Sequence, residues 1–225
     1  MKSFFWALFL AVAIAPLSAH AEHHGTEKDK SEHTKAAAMP EYYIFDKTHT
    51  QILFFVSHLG FSMSQGEFLD FDGHFIFDRA HPEKSSIDVS IKTESIDMDN
   101  EKWNKHMKNE DFFDVEKFPT MTFKSTGFDI TGENTANITG DLTILDVTKP
   151  VTLTTTYNKS GVHPFNKEIV AGFSATASIK RSEWGMTYGL PGVGDDVEIR
   201  IEVEGYKRDM PTTTDAASDK DQNSY

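Results

Sequence analysis

Apolar and polar residues alternate one for one through most of the chain between residues 42 and 204. The sharpest case is Val197, Ile199, Ile201 and Val203 set against Glu198, Arg200, Glu202 and Glu204. A period of two puts one set on each face of a strand, so one face is buried and the other is wet. Ile87, Val89 and Ile91 alternate in the same way, as do Phe173, Ala175, Ala177 and Ile179. So do Ile138, Gly140, Leu142 and Ile144, and then Val151, Leu153 and Thr155. Phe71, Gly73, Phe75 and Phe77 share one side of residues 70–77, and Met121, Phe123 and Ser125 share one face of residues 120–128. A longer run from Tyr42 to His58 is expected to bend near residues 47–50. These segments predict an all-β domain of eight antiparallel strands. Such strands close into a barrel or stack as a sandwich, and alternation alone does not choose. Gly60, Gly66, Gly73, Gly140 and Gly172 stand where a bend or bulge would help closure.

The period of two fails between Ile96 and Phe118. Residues 100–111 favour helix, and Trp103, His106 and Met107 fall on one helical face. A short helical segment is therefore expected between strands three and four. Phe112 and Phe113 after it are expected to plug one end of the barrel.

Both ends of the chain depart from the pattern. Lys2, the apolar run from Phe4 to Ala15, Pro16 and Ala19-His20-Ala21 together read as a signal peptide over residues 1–21. That run is shorter than the roughly 20 apolar residues that span a bilayer. No cysteine follows it to carry a lipid anchor. Export to the periplasm is expected, with no stable membrane insertion. Residues 22–39 and 209–225 hold too little apolar surface to offset the entropy of ordering, and disorder is expected there. A barrel domain remains over residues 40–208. His23, His24 and His33 could bind a metal loosely, although a polar linker that happens to hold histidines is the plainer reading.

Composition narrows the chemistry. A formal net charge of −13 argues against nucleic acid and anionic lipid surfaces as partners. Absence of cysteine excludes disulfides, thiol catalysis and thiolate metal sites. Eighteen phenylalanines can build an apolar core without them.

Several segments resemble the YceI-like family. They are His49-Thr50-Gln51-Ile52-Leu53-Phe54 with Val56-Ser57-His58-Leu59-Gly60, then Gly66-Glu67-Phe68 leading to Phe71-Asp72-Gly73. Residues 111–119 with Thr122-Phe123, residues 140–143 with 147–151, and residues 180–186 follow in the family's order. The resemblance covers about residues 42–207. It implies a lipocalin-like eight-stranded barrel around a long apolar tunnel. It also implies a polyisoprenoid or isoprenoid quinone as ligand, and a periplasmic setting. One departure lies at residues 104–109, where the family carries arginines and this chain keeps only His106.

Such binding requires no catalytic group, no metal and no cofactor besides the bound lipid. The inward positions expected to line a cavity are Phe54, Val56, Phe71, Phe75, Phe123, Leu142, Phe173 and Ile199, each of which also reads as ordinary core. Small inward residues at Gly140, Ala175 and Ala177 would leave room. His58 shares the parity of Phe54 and Val56 and could face a lipid headgroup, or sit satisfied in the core. Arg181 at a strand end could meet a quinone carbonyl or pyrophosphate, or form a surface salt bridge with Glu183 or Asp195. Asp111 and Asp114 read as turn formers, and residues 189–194 as a mobile glycine-rich loop at a barrel mouth that could gate it. Two other classes compete: an exported metal- or stress-linked accessory protein using the histidine tail, and an uncharacterised hydrolase. No nucleophile elbow, metal-binding helix or dinucleotide fingerprint supports the second. The oligomeric state stays open. An apolar mouth would favour a homodimer, but no outward apolar stripe stands out.

Overall fold

A computed structural model of the protein describes residues 39–211. The expected signal peptide, the histidines of the linker and most of the carboxy-terminal tail lie outside them. The described chain forms strands β1 (Glu41–Phe45), β2 (Gln51–His58), β3 (Ser62–Phe68), β4 (Phe71–Phe77), β5 (Ser86–Lys92) and β6 (Ile96–Asp97). Helix α1 (Glu101–Met107) follows. Then come β7 (Thr120–Ile130), β8 (Thr135–Ile144), β9 (Val147–Val162), β10 (Ile169–Lys180) and β11 (Val193–Arg208).

The sheet closes on itself. Neighbours run β1-β4-β5-β7-β8-β9-β10-β11, and β11 returns to β1. This is a closed eight-strand antiparallel barrel, and closure decides against the sandwich. β1 and β2 are two halves of the one long first strand, bent between Asp46 and Thr50 as expected. The last strand, β11, spans both halves, pairing Phe45↔Gly205 with β1 and Ile52↔Ile201 with β2. β3 and β4 divide the second strand in the same way, and β6 continues β5 to pair with β3.

β3 did not show in the sequence pattern. Its alternate positions are Ser64, Gly66 and Phe68 against Met63, Gln65 and Glu67, so neither face is consistently apolar. The turn before it places Leu59 and Gly60 both at positive φ (52° and 74°), the geometry of a type I′ hairpin. Leu145 and Asp146 do the same between β8 and β9. α1 lies between the third and fourth strands, as expected. The Asn100 side chain caps it by accepting the Trp103 N–H at 3.2 Å.

Inward glycines are filled rather than empty. A methyl group at Gly140 would collide with the Phe123 ring, and one at Gly66 with Phe54 and Met98. Gly73 faces Phe45, and Gly205 faces Phe75. The room expected at Gly140 is therefore occupied by Phe123. The rings lie against the wall where a side chain is missing, and that position keeps them out of the lumen.

Candidate functional site

An apolar cavity of about 430 Å³ runs inside the barrel. Its wall includes Phe54, Val56, His58, Phe75, Phe123, Leu142, Phe173, Arg181 and Ile199 from the positions singled out above. Ala175 is also in the wall. Phe71 is not. It is only 2% exposed and packs edge-on against Phe45 within the core. Two further groups of lining residues lie outside the alternation. Phe45, Ile52 and Phe68 come from the broken first and second strands, and Trp103, His106 and Met107 come from the one face of α1.

The first end of the tunnel is built by α1, the β2–β3 turn and the segment after β10. The His58 ring meets Trp103 edge-on at 5.9 Å. His106 is edge-on to both Phe112 and Tyr188 at 5.1 Å, and its Nε2 lies 3.0 Å from Asp111 Oδ2. Phe112 and Phe113 are buried and plug this end, as anticipated. Trp184 joins them from the other side, 2% exposed, with its indole N–H donating to the Leu142 carbonyl at 3.2 Å. Sequence reading missed Trp184, although its place in the segment 180–186 was a signal. Leu59, Phe61, Trp103, Tyr188 and Leu190 around this end are exposed, with Phe61 at 89%.

Arg181 holds that end together. Its guanidinium is buried and donates to three backbone carbonyls: Gly194 at 2.7 Å, Met186 at 2.9 Å and Val193 at 2.9 Å. The alternative of a surface salt bridge to Glu183 or Asp195 is not formed. Asp195 instead accepts from the Ser182 N–H and hydroxyl at 2.9 Å and 2.8 Å. Burial lowers the arginine's pKa, with Asp195 acting the other way. The glycine-rich loop is tied in as well, since Gly192 O accepts from Leu59 N–H at 2.7 Å.

The second end is aromatic inside and charged outside. Phe77 and Tyr157 line the tunnel there, beside Phe173. Tyr43 is fully buried and stacks on Phe75 at 4.8 Å. Burial and its hydrogen bond to Glu41 push its pKa up to about 12. Burial pushes the Glu41 carboxyl up, but hydrogen bonds from Lys207, Tyr43 and Arg79 outweigh it and leave the pKa low. Arg79 also reaches Tyr157 at 3.5 Å and contacts Ser160.

Among the described residues one group could hold a metal: Asp46, His49 and Glu204, with ligand atoms within 4.8 Å of one another. It sits at the bend of the first strand, away from the tunnel lining. Two of its members already pair, His49 Nδ1 lying 2.6 Å from Asp46 Oδ2.

The YceI-like domain model matches residues 43–205. This chain belongs to the YceI-like family. A UPF0312 protein of Pseudomonas putida strain W619 is 42% identical over 76% of this chain and 89% of its own. One from Azotobacter vinelandii is 39% identical over 76% and 90%. Among solved structures, Burkholderia cenocepacia BcnA is similar with a TM-score of 0.65 at 25% identity, covering 71% of this chain and 98% of its own. The Campylobacter jejuni YceI protein gives 0.62 at 30%, covering 68% and 90%. A polyisoprenoid binding domain from Saccharophagus degradans shares the fold, with a TM-score of 0.57 at 10% identity over 76% of this chain and all of its own.

Proposed function

We propose that this YceI-like protein binds one long apolar lipid, a polyisoprenoid or isoprenoid quinone, inside the barrel, and that it carries or stores that lipid in the periplasm. The observation that carries the reading is the tunnel itself: a hollow barrel whose lining is mostly aliphatic and aromatic. Burying apolar surface is worth about 0.8 kcal/mol per CH₂, or roughly 4 kcal/mol for each five-carbon unit of a prenyl chain. Desolvation alone supplies the affinity, so no reacting group is called for. A domain of the same fold is described as polyisoprenoid binding, which agrees with a prenyl chain as occupant. The periplasmic setting rests on the signal-peptide pattern of residues 1–21.

Native mass spectrometry of the protein from its own host, followed by solvent extraction, tests this. One homogeneous long-chain isoprenoid is expected. A protein that is empty, and stays empty when offered prenyl lipid in vesicles, would refute it.

A further inference from the structure

β9 and β10 are hydrogen-bonded neighbours from Ile169↔Val162 to Thr176↔Thr154, and there the ladder stops. Both strands continue. β9 runs on through Leu153 to Val147 with β8 as its partner, and β10 runs on through Ala177 to Lys180 with β11 as its partner. Over that stretch each has lost the other. Two features explain the parting. A register shift opposite Gly172 and Phe173 leaves Asn158 of β9 without a ladder partner and adds local twist to β9. Pro150 stands within the unpaired part of β9 with no N–H to give, which a strand tolerates only where one edge is free.

The tunnel lies directly behind this seam. Val151, Leu153 and Ile179 line it from the inside. On the outside is a cleft bounded by Thr152, Thr154, Thr176 and Ser178, with Glu198, Arg200 and Phe55 beyond. Ile199 contributes to both tunnel and cleft, so the wall between them is one strand thick. Ala177, the inward residue at the parting, has only a methyl group with which to block it.

We propose that the β9–β10 seam is a side portal through which the apolar chain enters and leaves the tunnel. Spreading β9 from β10 beyond Thr154 and Thr176 breaks no ladder hydrogen bond, whereas parting a paired stretch costs about 1 kcal/mol for each bond. The end-on route at this end is obstructed by the buried side chains of Phe112, Phe113, Trp184 and Met186. The hydroxyl rim gives a polar head a place outside the wall while the tail threads between the strands.

This rests on the lipid-binding reading, and the test keeps the two apart. With no cysteine in the chain, Thr152→Cys with Ser178→Cys gives a unique thiol pair across the seam. A short bifunctional thiol reagent staples it. Thr139→Cys with Thr152→Cys staples the intact β8–β9 ladder as the control. Each protein is loaded with solanesol, and its exchange against deuterated solanesol in phosphatidylcholine vesicles is followed by mass spectrometry. The seam staple is expected to slow exchange roughly tenfold or more while leaving the equilibrium load unchanged, with the control staple as fast as wild type. Unchanged exchange in a seam-stapled protein that still carries solanesol overturns the portal and leaves lipid binding standing. Equal slowing by both staples also overturns it. Failure of every form, wild type included, to take up solanesol removes the portal together with the reading beneath it.

Discussion

Gly66, Gly73, Gly140 and Gly205 face the lumen, and each carries a phenylalanine ring where its own side chain would stand. The cross-strand fit lets four large rings build the wall without filling the bore. Gly140→Ala forces Phe123 inward, and overpacking of this kind costs about 1–3 kcal/mol. Urea unfolding should show that loss; an unchanged midpoint would mean that the ring yields freely. Alternation placed Gly140 inward correctly, but a sequence does not show which neighbour leans over a glycine. His49 and Asp46 give a second residue-scale expectation. The hydrogen bond to Asp46 holds His49 above its ordinary 6.5. Burial raises Asp46, but hydrogen bonds from His49 and Thr48 outweigh it and leave it below 3.8. The pair's contribution is thus full between those two ordinary values. It is lost as pH rises through the raised histidine value, and again as pH falls through the depressed carboxyl value. The melting temperature of His49→Gln should fall below that of wild type at about pH 5 and converge on it by about pH 9. A deficit that does not change with pH would contradict this.

At the scale of elements, the segment from Arg181 to Gly194 depends on one side chain. Removing the Arg181 guanidinium orphans three carbonyls at once, the buried one of Met186 and the half-buried ones of Val193 and Gly194. Arg181→Met should cost roughly 2–5 kcal/mol, and hydrogen exchange should quicken selectively in residues 185–194. Uniform exchange would show that the loop is held by other means. Sequence reading placed Arg181 at a strand end and offered it a headgroup or a surface carboxylate. The alternative of backbone carbonyls was invisible, because main-chain acceptors leave no mark in a residue pattern. Strands were legible where one face is apolar throughout, as in β5, β10 and β11. β3 was hidden because Ser64 and Gly66 occupy two of its inward positions. The Leu59-Gly60 turn was hidden too, since leucine at positive φ is not the residue that such a turn prefers.

For the whole molecule, the choice between barrel and sandwich turned on pairing between the first and last strands, a contact that alternation cannot report. Whether the barrel is hollow was hinted at by small inward residues, and Ala175 does line the bore. Ala175→Phe should put a ring into the lumen and lower the lipid carried after extraction by about tenfold, because the ring competes for the same apolar surface. Its melting temperature should stay near that of wild type, since an open bore absorbs a ring that a solid core would resist. A large loss of stability with undiminished cargo would argue for a filled interior.

The pairing of β1 with β11 sets Tyr42 opposite Arg208, so the barrel's two chain ends lie side by side. The ring has no topological beginning. A short tether from Arg208 to Tyr42 would let the sequence be cut open at another hairpin tip, such as Leu145-Asp146, and still wind into the same cylinder. The natural order has a cost in time as well. Until β11 is available, the strands already formed have two raw edges and an exposed apolar interior. The last residues of the domain therefore decide when the tunnel first exists.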